Sequence, residues 1–261
     1  MERWGRVEVD GVVHEVTVDD DGTVRTRSGE VLHASAFTWL PPVTGTVVCA
    51  ALNFRSHVDA LGDLFRRPPH GEPPRTPVLF IKPANTLNAH WGRVQQPEGT
   101  EAIQPGPALA AVIGRTARRL APEDVRHVIA GYTLFNDFSL PEDSYFRPPV
   151  RSKCIDSFGP LGPWVVPQER LGDPGKVGLR TLVDGEVRQE GSTEELIFDI
   201  PRLLASITEF MTLRAGDVVV TGFPGGRVGV TAGMTVSVEA DGIGRLTNPV
   251  VSAAEFEAGR A

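Results

Sequence analysis

The clearest pattern along the chain is strict alternation of apolar and polar positions near its start. Val7-Glu8-Val9 and Val12-Val13-His14-Glu15-Val16 flank Asp10-Gly11, and Asp19-Asp20-Asp21-Gly22 follows. Two-residue periodicity broken by Asp-Gly pairs predicts a β-meander over residues 4–40, closed by Leu40-Pro41-Pro42. Beyond it the period lengthens to short, continuous apolar runs: Val47–Leu52, Val78–Ile81, Leu109–Ile113, Ala130–Phe135 and Val218–Thr221. Runs of this length bounded by turn residues read as buried strands. Leu179–Val183 and Glu186–Gln189 around Asp184-Gly185 predict a hairpin, and Thr235–Val238 and Gly244–Leu246 two more strands.

Helical spacing is rarer. Val58, Leu61 and Phe65 share one face of a helix over 56–65, and Leu203, Leu204, Ile207 and Phe210 share one over 201–211. Pro122-Glu123-Asp124 marks a helix start, and Ser192-Thr193-Glu194-Glu195 has the form of an N-terminal cap. The proline-rich loop 66–77 is expected to be a mobile lid, and the tail after Asn248 a short surface helix or frayed end. Many short strands with few helices give an α+β class, mostly β, built on a rolled mixed sheet. The expected divisions are a small β region over 1–45, a main domain over 46–252 and a tail over 253–261.

Charge and composition narrow the partners. The 33 acidic and 26 basic residues leave a net charge of −7 with no Lys/Arg block, which disfavours nucleic acids and anionic membranes. Cys49 and Cys154 lie far apart without metal-ligand spacing, so neither a zinc site nor a disulfide framework is indicated, and a reducing cytoplasm fits. The first residues lack an apolar export core, and no apolar run is long enough to span a bilayer.

Candidate chemistry concentrates between Ile129 and Val166. The apolar run ends on Asn136-Asp137, which places a carboxylate at a sheet rim or forms a turn. Lys153 follows, ahead of Phe158-Gly159-Pro160-Leu161-Gly162-Pro163-Trp164, where glycine lets backbone approach a ligand. Lys153 is placed either to meet a substrate oxygen or to pair with Asp156. His57 lies where a strand gives way to a helix, a position for a general base or an exposed helix start. Lys82 ends the strand begun at Val78.

In order along the chain, Ala51-Leu52-Asn53-Phe54-Arg55-Ser56-His57, Phe80-Ile81-Lys82-Pro83, Ala111-Val112-Ile113-Gly114-Arg115, the Ile129–Val166 segment, Glu209-Phe210-Met211-Thr212-Leu213 with Gly216-Asp217-Val218, and Thr221-Gly222 resemble the fumarylacetoacetate hydrolase family. The likeness runs from Val47 to Val251 and is strongest to the N-terminal half of its two-repeat decarboxylase/isomerases of homoprotocatechuate breakdown. The resemblance implies a mixed β-sandwich roll and an enzyme acting on a small keto or enol dicarboxylic acid in aromatic-compound catabolism. It assigns His57 and Lys153 to catalysis and Lys82, Thr221 and Gly222 to substrate binding, with Arg147 and Arg151 standing in for a missing arginine fork.

Four departures qualify that likeness. Where the family carries Glu-x-Glu for Mg²⁺ or Mn²⁺, this chain has Gly106-Pro107-Ala108, leaving Asp137 as the one remaining ligand-type residue. Ala60 replaces the carboxylate that partners the histidine, and Pro141-Glu142-Asp143-Ser144 replaces an Arg-Asp-x-Gln run. Phe223 takes the place of a threonine after Gly222. No tightly bound metal is therefore expected. Two further readings stay open: a non-catalytic subunit, paired as homodimer or as heteromer with a metal-bearing family member, and a metal-independent enzyme of a biosynthetic route.

Overall fold

The computed structural model describes residues 2–65, 67–68, 71–142 and 148–259. Strands dominate it and fall into two sheets. The larger, 12-stranded sheet runs Val31–Leu32, Val24–Thr26, Val12–Val18, Arg3–Val9, Gly159–Pro167, Ile129–Asn136, Pro107–Ile113, Val218–Val220, Val47–Ala51 and Val78–Lys82; two short strands join it off this path. The smaller, 5-stranded sheet runs Glu186–Ser192, Gly178–Val183, Thr235–Ala240, Gly244–Ser252 and Val94–Gln96. The predicted meander is present, and it joins the large sheet through the Trp4–Val165 register.

Both Asp-Gly turns form as expected: Asp10 and Gly11, like Asp184 and Gly185, have the positive φ pair that a tight right-twisted hairpin demands. The helix Ile200–Phe210 is capped by Asp199, whose carboxylate accepts from the Arg202 backbone N–H, and it buries Leu203, Leu204 and Ile207. Those side chains pack with Leu109, Ala111 and Leu134 of the large sheet and Leu179, Val238 and Leu246 of the small one. The main core is thus a sheet-on-sheet layer closed by one helix.

The strand Pro107–Ile113 is buried along its whole length, so both of its faces are covered. Leu109, Ala111 and Ile113 face the main core, whereas Ala108 and Ala110 join Val47, Cys49, Phe135, Leu161, Val218 and Val220 on the opposite face. This alternation decides where the site lies. Gly106 and Asp137 stand opposite one another just beyond the Pro107–Asn136 pair, with the Asp137 N–H donating to Gly106 O at 2.9 Å.

Three expectations are corrected. The helix over 56–65 is two short ones, Arg55–Ala60 and Gly62–Phe65, broken at Leu61 beside the poor helix former Gly62. The start at Pro122 leads only to a 3₁₀ turn, Pro122–His127. The last strand continues past Asn248 to Ser252, whose side chain then caps the helix Ala253–Ala258 in a box with Glu255. Among the described residues no helix is long and apolar enough to cross a membrane. Arg66, Pro69 and His70 of the expected lid lie outside the described residues, as does Arg147.

Candidate active site

Asp137 is 2 % exposed and meets two lysines from different elements. Lys153, in the four-residue helix Val150–Lys153, donates to Asp137 Oδ2 at 2.7 Å. Lys82, at the end of its strand, brings Nζ to 3.0 Å from Oδ1 while donating to the carbonyls of Phe138 and Phe158 at 2.8 Å each. Glu142 approaches the Lys153 ammonium from another side, at 3.4 Å. Burial works to raise the Asp137 carboxyl, but Lys153, Lys82 and Arg227 outweigh it and hold the group well below the usual carboxylate range. Burial also pulls the Lys82 ammonium below the ordinary lysine range, with Asp137 opposing.

Phe223 roofs this cluster, with Lys153 Nζ 5.2 Å from its ring centroid and the Arg227 guanidinium 4.3 Å from it. On the same ring lies His57, in the helix Arg55–Ala60, with centroids 4.9 Å apart. Desolvation, helped by the positive charges of Arg227 and Lys153, lowers the His57 imidazole to about 4, so it is neutral at physiological pH.

Thr221 and Gly222 hold the loop that carries Phe223. The Thr221 hydroxyl donates to Leu109 O at 2.9 Å, so its proton serves the fold instead of reaching out to a substrate. Gly222 has φ +95°, and a Cβ there would lie 3.0 Å from Ala50 O, so this position requires glycine. Of the two roles open to Lys153, pairing with Asp156 is not what forms: Asp156 accepts from Asn85 at 2.7 Å, while the short helix directs Lys153 to Asp137. Arg151 is exposed on that same helix and is not one of the cations around Asp137.

A profile of the family described as fumarylacetoacetate (FAA) hydrolase, C-terminal, matches residues 46–251. The chain belongs to the fumarylacetoacetate hydrolase family. Within this family it is 39% identical over 224 residues to a 4-hydroxyphenylacetate degradation bifunctional isomerase/decarboxylase of Salmonella dublin, covering 85% of this chain but 50% of that protein. The chain thus spans about half the length of that relative. The oxaloacetate tautomerase YisK of Bacillus subtilis is 30% identical over 243 residues, covering 89% of this chain and 77% of its own. A crystal structure of 5-carboxymethyl-2-hydroxymuconate delta-isomerase from Mycobacterium smegmatis superposes with a TM-score of 0.83 at 33% identity, over 96% of this chain and 98% of that one.

Family membership implies a divalent cation. A Cβ at Gly106 would lie 2.9 Å from the Phe223 ring and 3.2 Å from Asp137 O, so the ring fills the space into which a side chain at 106 would project. Ala108 is fully buried among apolar neighbours. Among the described residues no three His, Cys, Asp or Glu side chains converge. A cation at the usual Mg–O distance of about 2.1 Å from Asp137 would be pressed against the ammonium groups of Lys82 and Lys153. Among the described residues this donor set does not fit a divalent ion.

Sequence reasoning missed Arg227, and it treated Phe223 only as a lost polar contact. The available clue was compensation in size, glycine at 106 against phenylalanine at 223, which becomes visible once the two are known to touch.

The neutral His57 has a consequence for stability. Its folded-state value near 4 lies below the ordinary 6.5, so the unfolded chain binds a proton that the folded chain refuses as pH falls between those values. His90, which accepts from the Thr247 N–H through Nδ1, is lowered likewise to about 4. Stability should therefore decline from about pH 6.5 to about pH 4. Urea midpoints across that range should fall less steeply for His57→Asn, with the remaining slope due to His90 and, toward pH 4, to Asp137. An unchanged slope would show that His57 is not held neutral.

Proposed function

We propose that the chain is an isomerase/decarboxylase-type enzyme of aromatic-compound catabolism that interconverts keto and enol forms of a small dicarboxylic acid without a bound divalent cation. The observation carrying this reading is the buried Lys153 ammonium, fixed by Asp137 and Glu142 beside neutral His57. Proton removal next to a carbonyl breaks a C–H bond and leaves its electron pair as an enolate, whose charge settles on oxygen. An ammonium waiting in a dry site stabilises that oxygen without reorganising. His57 has its lone pair available at neutral pH to accept the carbon-bound proton and return it at another position. Lys82, tied to Phe138 O and Phe158 O, supports Asp137 and so holds the orientation of Lys153. The names of the relatives, two isomerases and a tautomerase, support the same class of reaction.

The test follows ultraviolet absorbance of enol-oxaloacetate and of a 2-hydroxy-dienedioic acid. Decay faster than in buffer, unaffected by EDTA or added Mn²⁺, is expected; a rate that appears only with Mn²⁺ would overturn the metal-independent reading. A second reading is favoured by Gly106 and Ala108 standing where the family carries two glutamates: a partner subunit for a metal-bearing member of the family. Activity appearing only after mixing with such a chain encoded beside it would establish that reading and defeat the first.

A further inference from the structure

We infer that Arg227, as a fixed cation of the chain itself, fastens the 104–105 segment to the turn that carries Asp137. The regular ladder between Pro107–Ile113 and Ile129–Asn136 stops at Pro107 and Asn136, and beyond it the described residues of the two segments meet through the Gly106 N–H to Asn136 Oδ1 bond at 3.0 Å, the Asp137 N–H to Gly106 O bond and the isolated Gln104–Ser139 bridge. Arg227 fastens this open end. Its Nε donates to Pro105 O at 2.9 Å, Nη1 to Ser139 Oγ at 2.7 Å, and Nη2 to Asp137 O at 2.6 Å and to Gln104 O. Three of the four acceptors are backbone carbonyls, the kind of oxygen that a hard cation also gathers.

The guanidinium carbon sits over the Phe223 ring, 4.3 Å from its centroid, and that ring occupies the space a side chain at 106 would need. Because guanidinium does not lose its proton in proteins, the charge is permanent, and its planar fork satisfies several acceptors at once. Arg227 is therefore a positioning residue. It sets the turn that carries Asp137, and Asp137 in turn orients Lys153. The inference does not depend on which substrate the site takes.

Arg227→Ala tests it through stability and rescue. The melting temperature should fall by roughly 5–10 °C, and millimolar guanidinium chloride, far below denaturing concentration, should restore part of the loss. Equal concentrations of urea, sodium chloride, MgCl₂ or MnCl₂ should not. Unchanged melting, or better recovery with Mn²⁺ than with guanidinium, would overturn the inference. Should Arg227→Ala not fold, Arg227→Lys keeps the charge without the fork and should fold but melt below wild type, with no stabilisation by Mn²⁺. Wild-type melting of Arg227→Lys, or its stabilisation by Mn²⁺, would equally refute the role assigned to the guanidinium.

Discussion

Lys153→Met should lower turnover of the enol substrate by roughly 10²–10³-fold and destabilise the fold by about 3–5 kcal/mol. Methionine fills a similar volume, so the loss is one of charge more than of packing. The change removes the donor at 2.7 Å from Asp137 Oδ2 and the cation 3.4 Å from Glu142, leaving a carboxylate that is 2 % exposed without its closest partner. Water cannot compensate at such burial, whereas an exposed pair would cost little. The two effects separate by pH. In the wild type Asp137 is held well below the carboxylate range, so its contribution is complete above the unfolded value and is lost as pH falls through the folded one. Urea midpoints of wild type and Lys153→Met should therefore differ most near neutrality and converge below about pH 4. Turnover should stay low throughout.

Asp137→Asn is expected to be comparably harmful, by about 3–5 kcal/mol, for the opposite electrostatic reason. It keeps the shape of the side chain and removes the negative charge that two buried ammonium groups share. Burial already works against the Lys82 ammonium, and without Asp137 that tendency goes unopposed. A lysine depressed in the folded state favours folding more as pH rises, because the unfolded chain then gives up its excess protons. The penalty of Asp137→Asn should accordingly shrink in alkaline solution, where that of Lys153→Met should not. Midpoints at neutral and alkaline pH distinguish the two.

Much of this architecture was legible in the chain. Asp10-Gly11 and Asp184-Gly185 specified their hairpins because both positions need positive φ, and the helix Ile200–Phe210 followed from Leu203, Leu204 and Ile207, whereas Phe210, expected on the same face, is exposed. The site was legible as a set of residues but not as an arrangement. Asp137, Lys82 and Lys153 were singled out separately, yet their convergence depends on the register that sets Gly106 against Asp137 and on the course of a four-residue helix. Asp156 is an alternative partner for Lys153 by nearness in sequence, whereas the fold supplies one just past the end of the Ile129–Asn136 strand. Thr221 was expected to face a substrate and instead donates to Leu109 O. Arg227 sits in a glycine-rich loop with no periodic pattern, so only three-dimensional placement shows its four acceptors.

The organising claim is that Asp137 serves the chain's own cations. The most direct measurement is a double-mutant cycle of urea midpoints for wild type, Lys153→Met, Asp137→Asn and the double variant at neutral pH. Removing both partners leaves no unpaired charge between them, so the double variant should be more stable than the sum of the two losses implies, with a coupling of about 2–3 kcal/mol. Strictly additive losses would contradict the claim and show that Asp137 draws its stability from something other than Lys153.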